Sequence, residues 1–217
     1  MSLPDCLRHT FSPEEIQFIV ENELIKIFPR ITTRQNIRSR NAGQRPNVKC
    51  QLITTNDHNV NNMVAMQSTE VALWLALLLK QQKKCSIVAP QWLTIKELES
   101  LIQFEKANSD RFSAMPWNWL VVAQLLFKRA PDDFHDPVHA LRGKIQDLRE
   151  IRQVKVLKGL RHLNESHLQL DNLSLLEINE LRPSIIGIMD KLRQIHSAAH
   201  ASGNSNTDDQ QAEIADY

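Results

Sequence analysis

The sequence predicts a mainly α (α+β) protein, a helical bundle domain preceded by a small β-rich N-terminal domain. Three observations carry that reading. Helix-start signals recur along the chain, as capping sequences at Ser12-Pro13-Glu14-Glu15, Thr94-Ile95-Lys96-Glu97 and Ser174-Leu175-Leu176-Glu177 and as prolines at Pro116, Pro137 and Pro183. Both devices suit the first turn of a helix, whose backbone donors have no partner within it. Only five of 217 residues are glycine, against about 7% in an average chain, which favours long helices over many tight turns. Short strand-like runs concentrate in the first quarter, where Leu24-Ile25-Lys26-Ile27-Phe28 is stopped by Pro29, as proline stops a strand.

Taken in order, the first helix starts at Ser12, with Phe11 and Ile16 placed as a hydrophobic staple, and runs to about Asn22. Leu24–Phe28 follows as a strand. Residues 32–49 are polar, basic and without period, hence a mobile loop. Cys50-Gln51-Leu52-Ile53-Thr54 alternates weakly and is expected to pair with the earlier strand. From Ser68 the pattern turns helical. Val71 to Gln82 is apolar on every side, which predicts a fully buried helix. Cys85–Ala89 is an extended link, and helices then open at Thr94, Pro116 (through Phe127) and Pro137 (roughly Val138 to Leu163). A short helix capped at Ser174 and a last one from Pro183 to about His200 complete the series. The expected organisation is 1–67 as the small β-rich domain, with its helix and basic loop, 68–200 as the bundle, and 201–217 as a disordered acidic tail.

The long helix has an unusual face. Its apolar residues begin at mixed spacing (Val138, Leu141, Ile145, Leu148) and continue in strict threes through Ile151, Val154, Leu157, Leu160 and Leu163. Each three-residue step advances about 300°, so the stripe walks back about 60° per step around the helix. One neighbour does not cover such a surface. Either several helices of this chain surround it or part of it meets another protein.

Composition excludes several kinds of chemistry. The glycines stand at positions 43, 143, 159, 187 and 203, far too dispersed for a phosphate loop, a dinucleotide fingerprint or a hydrolase elbow. The longest apolar run, Val71 to Leu79, is nine residues, against about 20 for a membrane span. Cys6, Cys50 and Cys85 are odd in number and widely spaced, which reads as reduced thiols of a cytosolic or nuclear protein. A net charge of +1 hides segregation. Lys26–Lys49 holds seven bases and no acid, Arg142–Arg161 seven bases and two acids, and the segment after Gly203 four acids and no base. Such asymmetry suits a chain that meets partners of different character.

No catalytic, metal or cofactor constellation emerges. The pairs His135/His139 and His196/His200 lack a third ligand and a neighbouring glutamate, and His162 and His167 are off a common face. Glu14/Glu15 serve a helix start, and Asp132/Asp133 sit in a turn. Cys85 follows two lysines but lies in an apolar run, as a packed thiol does. The four tryptophans read as core or interface anchors. The basic segment Lys26–Lys49 could touch phosphates, with Arg34, Arg38, Arg40 and Arg45 as candidates for a peripheral contact. It has no aromatic residue after Phe28 to stack on bases. The charges of Arg142–Arg161 are interspersed with core positions, which favours a solvated face or an acidic partner.

Two longer strings point to a family. Leu73-Trp74-Leu75-Ala76-Leu77-Leu78-Leu79-Lys80-Gln81 with Lys84-Cys85-Ser86-Ile87-Val88-Ala89-Pro90-Gln91-Trp92-Leu93, and Leu170-Asp171-Asn172-Leu173-Ser174-Leu175-Leu176-Glu177-Ile178-Asn179-Glu180, resemble signatures of the GINS-complex subunits, in the branch called "partner of Sld-five, two". The segment from Phe11 to Pro29 is similar to budding-yeast members. The resemblance covers about Phe11 to His196 and is weakest at Thr32–Val60 and in the tail.

The resemblance implies a non-catalytic structural subunit of the GINS heterotetramer, with three sister subunits as partners. It implies a nuclear protein that scaffolds the active replicative helicase with the MCM ring and a Cdc-type cofactor, in initiation and elongation, and that reaches the leading-strand DNA polymerase through the complex. Neither cofactor nor small-molecule ligand is implied. Leu148, Ile151, Val154, Leu157 and Leu160 are then expected to bury surface, some of it against a sister subunit, although packing within the chain would give the same pattern. The alternative is a helical DNA-binding module built on Lys26–Lys49 and Arg142–Arg161.

Overall fold

The computed structural model describes residues 9–32, 50–51, 59–60, 63–161 and 170–212, with the backbone alone for 50–51, 59–60 and 200–212. The candidates Arg34, Arg38, Arg40 and Arg45 and the pair His162/His167 lie outside the described residues.

Helix α1 (Pro13–Glu21) begins with the expected capping box. The Ser12 hydroxyl accepts from the Glu15 N–H, and the Glu15 carboxylate accepts from the Ser12 N–H. Strand β1 (Leu24–Pro29) alternates strictly between exposed and buried residues, the period a strand imposes when one face is covered. It is the centre of a three-stranded antiparallel sheet between β4 (Thr69–Ala72) and β5 (Cys85–Ile87). Leu24 lies opposite Ala72, and Ile27 opposite both Thr69 and Ile87. The expected pairing of Cys50–Thr54 with β1 is corrected here. Strand β2 (Cys50–Gln51) pairs with β3 (Asn59–Val60), because β4 and β5 already occupy both edges of β1.

Helix α2 (Leu73–Gln81) starts later than expected, since Thr69 to Ala72 are taken up as β4. It is also not buried all round. Leu73, Ala76 and Leu79 face the core, while Leu78 is 46% exposed. The helix covers one side of the sheet, and among the described residues no second layer covers its outer side.

Helices α3 (Ile95–Ala107), α4 (Trp119–Arg129) and α5 (Val138–Leu160) form the bundle. At the start of α3 the Thr94 hydroxyl accepts from the Glu97 N–H, and the Asp136 carboxylate takes the Ile95 N–H at 2.9 Å. Pro116 makes a turn ahead of α4 instead of opening the helix itself. Helix α6 (Leu175–Ala212) joins what the sequence divides into two, with Pro183 inside it. The exposed Pro183 ring removes one backbone donor but leaves the flanking turns bonded. The helix also runs beyond His200, where the sequence ends it.

One hydrophobic core passes from Ile16 and Val20 of α1, through the sheet and α2, to Leu98, Trp119, Leu126, Leu141 and Leu148 of the bundle. The turn Pro131–Asp133 ties the two parts together. Its Asp133 carboxylate accepts from the β5 Ile87 N–H at 2.8 Å and from the α2 Lys80 ammonium at 2.7 Å.

Candidate assembly surface and the ionic cluster behind it

Helix α5 changes character halfway. Leu141, Ile145 and Leu148 occupy one face and are buried in the core. The next position on that face is Arg152, four residues beyond Leu148, and it is 0% exposed. The apolar stripe goes elsewhere. Ile151 is partly buried against the core, Val154 is 52% exposed, Leu157 is 61% exposed, and Leu160 is half-buried. At about 100° per residue, Leu157 lies roughly 180° around the helix from Leu148. Of the expected surface residues, Leu148 is therefore enclosed by its own chain, whereas Val154 and Leu157 present their side chains outward.

The inward charge is fully partnered. Arg152 Nε donates to Glu177 Oε1 at 2.7 Å and Nη2 to Glu177 Oε2 at 3.0 Å, a two-pronged pair. Nη1 donates to Glu105 Oε1 at 2.8 Å, and Nη2 also reaches the Asn172 carbonyl at 2.6 Å. Asn172 adopts φ 61, a left-handed conformation that asparagine tolerates better than most residues, and its carbonyl serves this contact. The guanidinium lies 5.0 Å from the Phe112 ring centroid and 6.0 Å from that of Trp119, within cation–π range.

Lys155 completes the cluster by donating to Glu105 and to the carbonyls of Asn108 and Arg111. Burial alone would raise the Glu105 carboxyl. Hydrogen bonds from Lys155 and from the Ser113 hydroxyl and N–H, together with the Arg152 charge, instead hold it below the ordinary glutamate range. Burial would likewise lower Arg152, and Glu177 and Glu105 reverse that. Two positive and two negative groups thus neutralise one another between α3, α5 and the start of α6.

This arrangement also decides what the basic residues of α5 do. Arg142 donates to the Phe127 carbonyl, Lys144 pairs with Glu99, and Arg149 pairs with Glu180. With Arg152 and Lys155 enclosed, most of the positive charge of Arg142–Arg161 is spent inside the chain. A continuous phosphate-binding face would need it free. The alternative of a DNA-binding helix is not favoured.

Helix α6 adds a second apolar surface, which the sequence reading missed. Its first turns are anchored. Leu175 and Leu176 pack on the core, Glu177 meets Arg152, and the Asn179 amide both donates to the Phe11 carbonyl and accepts from the Phe11 N–H. From Ile178 to Ala199 no residue is buried. Yet Leu181, Ile185, Ile188, Leu192 and Ile195 recur at alternating four- and three-residue steps, the seam by which one helix packs along another. Ile195 is 67% exposed. The spacing was legible in the sequence, but reading Pro183 as a helix start cut the seam in two.

Among the described residues no group of three or more His, Cys, Asp and Glu could hold a metal ion, and no helix is long and apolar enough to cross a membrane. Cys85 is buried and donates to the Ala76 carbonyl. Burial first, and then the Asp133 charge, pushes its thiol up to about 11, so it is a packed group with little thiolate character.

Comparison with known proteins agrees with this picture. Residues 92–196 match the family described as GINS complex protein helical bundle domain (Sld5), and residues 45–88 match the PSF2 N-terminal domain. A Saccharomyces cerevisiae relative, "DNA replication complex GINS protein PSF2", is 71% identical over 97% of this chain and 99% of its own length. A Candida glabrata protein of the same name is 67% identical over 94% of this chain and 95% of its own length. Its Schizosaccharomyces pombe counterpart is 38% identical over 90% and 96%.

Proposed function

This chain belongs to the GINS family, in its PSF2 branch, and we propose that it works in DNA replication as a non-catalytic structural subunit of a GINS complex. The observation that carries the mechanism is the divergence of apolar stripe and core face along α5. Burying a valine or leucine side chain is worth about 1.5–3 kcal/mol. Val154 and Leu157 forgo that in the single chain while Arg152 and Lys155 are enclosed beneath them. The α6 seam repeats the pattern. Both surfaces are read as docking faces for sister subunits, covered only in the assembly. The MCM ring, the Cdc-type cofactor and the leading-strand polymerase are read as further partners of the complex, in the nucleus. The family resemblance supports that wider reading.

The test is co-expression of the full chain with its three sister subunits, comparing wild type with Leu157→Asp and Ile188→Asp. Each variant places a charge on an outward face, so the chain itself should fold. Each should cut recovery of the four-subunit complex by at least about tenfold, equivalent to about 1.4 kcal/mol of association energy. Unchanged recovery in both variants, or a wild-type chain that stays a stable monomer beside its sisters, would overturn this reading.

A further inference from the structure

We infer that Arg152 is a positioning residue. By gripping Glu177 and Glu105 together, it sets the direction in which α6 leaves the bundle, and so where the α6 seam meets a sister subunit. The inference rests on the assembly reading above and adds to it the element that makes the docking geometry specific.

The enclosed contacts of α6 lie at its root. No residue from Ile178 to Ala199 is buried, and the buried residues Ser174 and Glu177 stand at the helix start. The first two turns therefore carry the contacts that water does not reach. There, the Leu175 N–H donates to the Trp117 carbonyl, Asn179 meets the exposed Phe11 backbone, and Glu180 meets the part-exposed Arg149. Among the described residues only the Arg152–Glu177 pair is both enclosed and two-pronged. A planar guanidinium fork fixes the angle of a carboxylate as well as its distance, which a point charge does not.

The same guanidinium is held from the other side by Glu105 of α3 and by the Asn172 carbonyl in the turn before α6. Rotating α6 about its start would break two short bonds and strand a buried charge, which is strongly disfavoured.

The lever arm makes this matter. From Glu177 to Ile195 the helix extends about 27 Å, so a 10° error at the root moves the tip by about 5 Å, close to one helical turn. A purely apolar root would serve stability as well or better, but it would not supply donors in fixed directions.

The test places spin labels at exposed Gln103 of α3 and Gln194 of α6, with Cys6 and Cys50 replaced by serine and the buried Cys85 retained. The distance between labels is measured in the full chain, and capture by the three sister subunits is measured separately. In the variant Arg152→Met/Glu177→Gln, Glu105 keeps Lys155 as its partner and no buried charge is left unpaired, so helix content should persist. The expected result is a broadened or shifted distance and about a tenfold loss of capture.

An unchanged narrow distance overturns the inference. Should the double variant lose its helix content, Arg152→Lys decides the matter. It keeps the charge but cannot fork, and again a broadened distance supports the inference while an unchanged one overturns it. Failure of the wild-type chain to be captured at all would count against the assembly reading, and the distance measurement on the full chain would still judge Arg152.

Discussion

The front and rear of α5 belong to one helix and have opposite polarity. In front, Leu141, Ile145 and Leu148 point into the core, while Gln146, Asp147 and Glu150 are exposed. At the rear, Arg152 and Lys155 point inward, and Val154 and Leu157 point out. The front obeys the ordinary rule for a helix on a globular surface. The rear inverts it, at the cost of desolvating charges that only a complete set of partners repays. On the proposed reading, the apolar side of α5 follows what the assembly covers, which need not be the interior of its own chain.

The largest effect that would sharpen the contrast comes from truncating one leucine on each side. Leu148→Ala opens a cavity in a closed core and should destabilise the full chain by about 2–5 kcal/mol. Leu157→Ala removes an exposed side chain and should change the stability of the unassembled chain by about 0.5 kcal/mol or less, while weakening recovery with the sister subunits. Urea midpoints for both variants check this. Equal losses of stability in the unassembled chain would erase the distinction between front and rear.

Much of the front was legible in the sequence and much of the rear was not, for one reason. Signals that act within a few residues survive in a sequence. The Ser12–Glu15 box, the strand-like run Leu24–Phe28 and the start of α5 after Pro137 are of that kind. The backward walk of Ile151, Val154, Leu157 and Leu160 was also readable.

What spacing does not convey is which distant residue arrives opposite. Arg152 sits in a basic run that reads as a solvated face. Nothing local announces Glu105, 47 positions earlier, or Glu177, 25 later. The same limit applies to Asn179 on Phe11, 168 positions apart, and to β2, which found β3 instead of β1. Pro183 failed differently. Proline is a good helix start and a tolerated helix interior where its ring faces solvent, and tertiary context chose the second.

A smaller effect probes the rear through acid. Glu105 has its folded-state carboxyl held below the ordinary glutamate range. Its ionised form therefore contributes stability that is fully present above the unfolded glutamate pKa of about 4.3, and that is lost as pH falls through the folded value. Glu105→Gln removes that titration. The variant should be less stable at neutral pH, because Arg152 and Lys155 lose a charged partner. Its stability should then fall less steeply than wild type below about pH 4.5. Urea midpoints across that range read both slopes. Parallel slopes would mean that the enclosed charges contribute nothing beyond packing.

The smallest effect belongs to the front and tests its outer charges. Lys144 reaches Glu99 of α3 at 2.9 Å, with both side chains substantially exposed. Water screens such a pair, and holding two flexible side chains together costs entropy, so its worth is about 0–1 kcal/mol. A double-mutant cycle with Lys144→Ala and Glu99→Ala should return a coupling in that range, and it should fade in about 1 M salt, where screening acts over roughly 3 Å. A larger coupling that survives salt would make the outer charges of the front as structural as the enclosed ones of the rear. The inversion along α5 would then be a matter of accessibility and not of energetics. A weak, salt-sensitive coupling keeps the two halves distinct, with solvated charge outside the front and forked, desolvated charge inside the rear.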